Sequence, residues 1–76
     1  MLAQVKQIII DTIYVDESFI TTDSILKEDL GIDSLTKLEL ILECENTFDI
    51  RIEDSELANL KTVGDVVAMI TRKINN

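Results

Sequence analysis

Projected at about 100° per residue, the segment beginning at Ser34 spreads apolar side chains around roughly 220° of a helical wheel, about twice the arc a surface helix needs. Leu40, Cys44, Phe48 and Ile41 fall on one side, and Leu35, Leu42 and Leu38 on another. Glu45 lies between the groups, while Glu39, Glu43, Thr36 and Asn46 take the polar remainder. Two arrangements satisfy this pattern. The helix is either central and buried nearly all round, or the arc divides. In the divided case Leu40, Ile41, Cys44 and Phe48 pack inward, and Leu35, Leu38 and Leu42 form an exposed strip rimmed by carboxylates, a combination typical of binding sites.

The rest of the chain offers helices to pack against it. Leu2, Val5, Ile9 and Ile13, flanked by Ile8 and Ile10, recur at helical spacing and predict a first helix over about residues 2 to 14. From Val15 to Asp33 the spacing becomes irregular and small polar residues cluster in "ESFITTDS", which predicts a long ordered loop pinned by Phe19, Ile20, Leu26, Leu30 and Ile32. The second helix runs from about Ser34 to Thr47, the third is a short turn near Asp54 to Asn59, and the fourth spans about Val63 to Ile74. Thr62 is its expected N-cap, with Asp65 three residues later completing a box-like pattern. Val63, Val66, Val67, Ile70 and Ile74 form its apolar stripe. "FDIRI", residues 48 to 52, alternates in period two, but no second segment offers it a partner, so it reads as an extended linker.

Composition agrees with an all-α fold. Among 76 residues, 46% are hydrophobic, two are Gly and none is Pro, which favours a compact helical domain spanning residues 1 to 76. A domain of this size buries only about 60% of the surface its unfolded chain exposes. With 4% aromatics, aliphatic side chains must fill that thin core.

Seven Lys plus Arg against fifteen Asp plus Glu give a formal net charge of −8. Such a surface repels phosphate backbones and anionic lipid, so neither nucleic acid nor stable membrane association is expected. It attracts proteins with basic patches. No stretch approaches the 18 or so uncharged apolar residues a membrane span needs. The lone Cys44 has no internal disulfide partner, and the first residues carry neither a basic n-region nor a long apolar run; a reducing cytoplasm is the expectation.

The absence of histidine removes the usual Ser-His and Cys-His nucleophile pairs and any His-containing zinc site. Cys44, on the presumed core face, reads as a small buried hydrophobe. "DSILKEDLGIDS" fails the calcium-loop spacing, because Ile25 and Lys27 stand where oxygen ligands belong; no metal site is expected. A chain this short can scarcely build the cleft that paired carboxylates need, so self-contained catalysis is not expected either.

Ser34 stands at the head of the second helix, where Asp33 or Ser34 can serve as N-cap. "DLGIDSLTKLEL", followed by "FDIRIEDSEL" and "LKTVGDVVAMI", resembles the acyl carrier proteins of fatty-acid and polyketide synthesis over essentially the entire chain. The short D-S-L motif is weakly specific alone. In this order, spacing, length and charge the set is strong. The resemblance implies a four-helix bundle with a short third helix and a long first loop. It implies that Ser34, flanked by Asp33 and Leu35, carries phosphopantetheine derived from coenzyme A, whose thiol holds acyl groups as thioesters. The second helix then recognises partners: a phosphopantetheinyl transferase, acyltransferases and ketoacyl synthases bearing basic patches. A phosphate on Ser34 sits at a helix N-terminus, which favours an anion by roughly 0.3 to 1 kcal/mol, with Asp29 and Asp33 partly opposing.

Docking is expected on Asp33, Glu39, Glu43 and Glu45 with Leu35, Leu38 and Leu42, and the acyl chain is expected to shelter among Leu42, Leu57, Leu60 and Ile70. The carrier is expected to act as a monomer. Three positions depart from the common pattern. Thr36 and Lys37 follow the motif where an acid and then a small or apolar residue are frequent, and Glu53 replaces a frequent proline. These change the charge a partner meets beside Ser34. Two rivals share the features: a carrier of aminoacyl or other specialised acyl units, and an acidic helical interaction module in which Ser34 is only a cap.

Overall fold

The structure, a computed structural model, describes residues 1–75. Four α-helices account for its architecture: α1 Leu2–Ile13, α2 Ser34–Phe48, α3 Asp54–Leu57 and α4 Val63–Ile74. No strand occurs among the described residues, and no helix there is long and apolar enough to cross a membrane. The three long helices pack on one another with α2 touching both α1 and α4. Val5 and Ile9 of α1, Leu40, Ile41 and Cys44 of α2, and Val63, Val66, Met69 and Ile70 of α4 make a nearly solvent-free aliphatic core.

Helix ends follow local chemistry. Tyr14 adopts a left-handed conformation (φ 58°), its N–H donating to the Ile10 carbonyl, so α1 stops one residue earlier than its periodicity suggests. Asp49 (φ 53°) ends α2 the same way, which draws Phe48 into the helix and leaves Ile50 and Ile52 to turn inward along an extended linker. Thr62 and Asp65 form a reciprocal capping box on α4, with the Asp65 N–H donating to Thr62 Oγ1 at 3.1 Å and the Thr62 N–H to Asp65 Oδ2 at 3.1 Å. The turn of α3 ends at Leu57 rather than Asn59. A Glu53–Glu56 capping box closes its head, and a 2.8 Å ion pair from Glu56 to Lys73 ties it to α4.

The long first loop is ordered by Ile20, Leu26, Leu30 and Ile32, all buried. Phe19, expected among them, is instead 70% exposed. It closes a short 3-10 turn, Glu17–Phe19, and the pinning falls to its neighbour Ile20. The Asp29 carboxylate accepts the Ile25 N–H at 2.7 Å, closing a turn, and Gly31 then takes φ +66°. That left-handed residue reverses the chain, burying Ile32 and delivering Asp33 to the start of α2.

Candidate functional site

Asp33 is the N-cap of α2: the Thr36 N–H donates to its Oδ1 at 2.8 Å, and the Lys37 N–H donates to its carbonyl at 2.8 Å. The hydrogen bond from Thr36 holds the Asp33 carboxyl below the usual carboxylate range. Ser34 is therefore the first helical residue, not the cap. Its side chain is exposed, and its hydroxyl enters no hydrogen bond among the described residues. A free hydroxyl at the head of a 15-residue helix fits a covalently attached group. Because the Asp33 side chain engages the Thr36 N–H, one of the otherwise free first-turn donors, the helix terminus itself offers an anion less than the sequence suggests.

A cleft of about 530 Å³ opens beside Ser34. Ile25, Leu26, Lys27 and Glu28 line it from the first loop, Ile32 to Ser34 and Lys37 from the head of α2, and Ala58, Leu60 and Lys61 from the segment before α4. The walls are held together by main-chain pairing between segments distant in sequence. The Leu26 N–H donates to the Lys61 carbonyl at 2.8 Å and the Val63 N–H to the Ser24 carbonyl at 3.0 Å, around an isolated bridge from Ile25 to Thr62. No periodicity in either segment signals this pairing. Lys27, Ala58 and Lys61 are consequently site residues that sequence reasoning missed.

The divided arc of α2 is what the structure contains. Leu40, Ile41 and Cys44 are buried, whereas Leu35, Leu38 and Leu42 are 68%, 44% and 49% exposed. Glu39 and Glu43 lie exposed on the same helix. Glu45 does not join them. It sits four residues after buried Ile41, hence above it on the helix, and its half-buried carboxylate accepts the Ile52 N–H at 2.8 Å. Its task is to hold the linker after α2.

The expected grouping of Leu42 with Leu57, Leu60 and Ile70 does not form. Leu42 lies about 200° around the helix from buried Leu40, so it cannot face α4. It lines a groove with Ile8, Thr12 and Tyr14 of the α1 end. Leu60 and Ile70 are in the core, Leu57 packs against it, and Leu60 also reaches the wall of the Ser34 cleft.

Burial, and secondarily the charges of Glu43 and Glu45, push the Cys44 thiol up to about 11. A raised folded-state value stabilises the fold below the ordinary thiol range of about 8.5, and that contribution is lost as pH rises toward about 11. Iodoacetamide at pH 8 is therefore expected to leave Cys44 unlabelled in the native protein and to label it fully in denaturant. Rapid native labelling, followed by mass spectrometry, would contradict the inward placement of this residue.

The structure is thus a small helical domain with an exposed serine at a helix head, beside a cleft. The chain belongs to the acyl carrier protein family, whose members carry covalently attached phosphopantetheine. It matches the family described as "Phosphopantetheine attachment site" over residues 3–70. It is 49% identical over 69 residues to the acyl carrier protein of Aster yellows witches'-broom phytoplasma, covering 91% of each chain. With that of Exiguobacterium sibiricum it shares 43% identity over 74 residues, covering 97% of this chain and 94% of the relative. The crystal structure of acyl carrier protein from Thermotoga maritima shares the fold with a TM-score of 0.85 at 27% identity, covering 97% of this chain and 86% of that one.

Proposed function

We propose that residues 1–76 act as a single, non-catalytic carrier domain that receives phosphopantetheine on Ser34 and ferries acyl groups between enzymes of fatty-acid or polyketide-type synthesis in the cytoplasm, as a monomer. The observation that carries this reading is the free Ser34 hydroxyl at the head of α2, inside the D-S-L motif of a chain that belongs to a phosphopantetheine-bearing family. In attachment, the Ser34 Oγ forms a bond to the pantetheine-side phosphorus of coenzyme A as the P–O bond of the diphosphate breaks; adenosine 3′,5′-bisphosphate leaves, and the Oγ proton passes to a base of the transferase. The attached group supplies the thiol for thioester formation, chemistry this chain lacks because its one cysteine is buried.

The chain's own residues supply position. Asp33 fixes the start of α2, so Ser34 projects from a rigid helix rather than from a loop. Leu35, Leu38 and Leu42, with Glu39 and Glu43 beside them, offer a transferase, acyltransferase or ketoacyl synthase an apolar strip within an acidic field. A shuttle must leave each partner, so this contact is small and governed by association rate. Glu39→Lys is expected to lower a transferase's kcat/KM roughly fivefold or more at low salt, with the deficit shrinking in 0.5 M NaCl. Unchanged kinetics at low salt would remove Glu39 from the docking face.

Intact-mass spectrometry after incubation with coenzyme A and a phosphopantetheinyl transferase tests the central claim. One added arm, placed on Ser34 by fragmentation, is the expected result. No addition, or addition at another hydroxyl, would overturn it and favour the interaction-module reading.

A further inference from the structure

A second groove, of about 610 Å³, lies between α2 and the end of α1. Asp11 and Tyr14 line it from the α1 side, and Glu39, Leu42 and Glu43 from α2. No Lys or Arg lines it among the described residues. The ion pair found among those residues joins Glu56 and Lys73, so it neutralises none of the three groove carboxylates. The Gln7 amide donates to Asp11 at 3.0 Å, a neutral partner that leaves the charge of that carboxylate uncompensated.

Tyr14 is the residue the fold does least to explain. Its φ of 58° and ψ of 47° lie in the left-handed region, which costs an L side chain and costs glycine nothing. The side chain is 88% exposed, so packing returns little of that cost. Strain kept without packing in return points to a use outside the folded domain. An aromatic face beside three uncompensated carboxylates suits a cation, which the ring attracts and the carboxylates neutralise. The groove is also continuous with the strip proposed to receive enzymes at Ser34, because Leu42, Glu39 and Glu43 belong to both. Leu42 follows Ser34 by eight residues, about 12 Å along the helix, a distance that even a small interface spans.

We propose that Tyr14 is a docking residue: a cationic side chain, arginine or lysine, of an enzyme acting at Ser34 seats against its ring in this groove, with Asp11, Glu39 and Glu43 meeting the charge. The inference rests on the Ser34 reading. The test uses the unmodified protein, coenzyme A and a phosphopantetheinyl transferase, with arm addition followed by intact mass and each variant melted in parallel. Tyr14→Gly is expected to melt higher by about 4 °C or more, because glycine carries no left-handed penalty, yet to lower the transferase's kcat/KM roughly threefold or more. Tyr14→Leu keeps apolar bulk without a π face and is expected to be as slow as the glycine variant, whereas Tyr14→Phe recovers most of the native rate. Asp11→Asn is expected to slow the transferase at low salt, with the deficit narrowing in 0.5 M NaCl. A glycine variant as fast as the native chain, or one that melts lower than it, would overturn the docking role. A leucine variant at the native rate, or no salt-sensitive deficit at Asp11, would overturn the cation. Failure of the native chain to gain mass would instead overturn the Ser34 reading.

Discussion

Ser34→Ala is expected to abolish arm attachment completely while leaving the fold untouched. The chemistry needs one nucleophilic oxygen at the head of α2, and alanine has none. Stability is spared because Asp33, not Ser34, caps the helix, and the Ser34 hydroxyl satisfies no other group among the described residues. Exposed substitutions away from such features stay within about 0.5 kcal/mol, which for a domain of this size moves the melting temperature by no more than about 4 °C. Asp33→Ala sets the contrast: it removes a cap worth about 0.5 to 2 kcal/mol yet leaves the acceptor oxygen in place. Mass spectrometry and thermal melts of both variants check the pair. An alanine variant that still gains an arm, or that melts as low as the Asp33 variant, would reassign the residue.

The second large effect concerns stability. Leu40→Ala is expected to cost about 2 to 5 kcal/mol, because Leu40 is fully buried where α2 meets the rest of the core. In a small aliphatic core with marginal net stability, that loss lowers the melting temperature by on the order of 10 °C or more. Leu38→Ala, two residues away, is expected to cost less than about 1 kcal/mol because Leu38 is 44% exposed, and to slow partner enzymes instead. Circular dichroism in denaturant separates the two. Equal stability losses would mean that Leu38 is packed and that α2 is buried all round.

Much of this was legible in the sequence because it is local. A repeat of 3.6 residues marks a helix wherever it falls, and α1, α2 and α4 lie within one or two residues of where their apolar spacing puts them. The Thr62–Asp65 box is a four-residue event, and it formed as read. Errors at the ends came from Tyr14 and Asp49, which adopt left-handed conformations that no periodicity encodes. Residues facing away from the core were harder to assign. Glu45 looked like part of an acidic face until the linker's return placed the Ile52 N–H against it. Phe19 looked like an anchor by its type alone, and the 3-10 turn carried it outward.

By itself the sequence determined the helices, the two apolar sides of α2 and the single serine in a D-S-L setting, because periodicity, capping and motif spacing act over a few residues. Only the tertiary structure decided whether α2 is buried all round or keeps its Leu35, Leu38 and Leu42 side in solvent, which of Asp33 and Ser34 caps the helix, and which side chains surround the serine. Those depend on contacts between segments far apart in the chain. Lys27 and Lys61 reach the same cleft because the first loop pairs its backbone with the residues before α4, and hydrogen bonds between main-chain groups leave no trace in residue type.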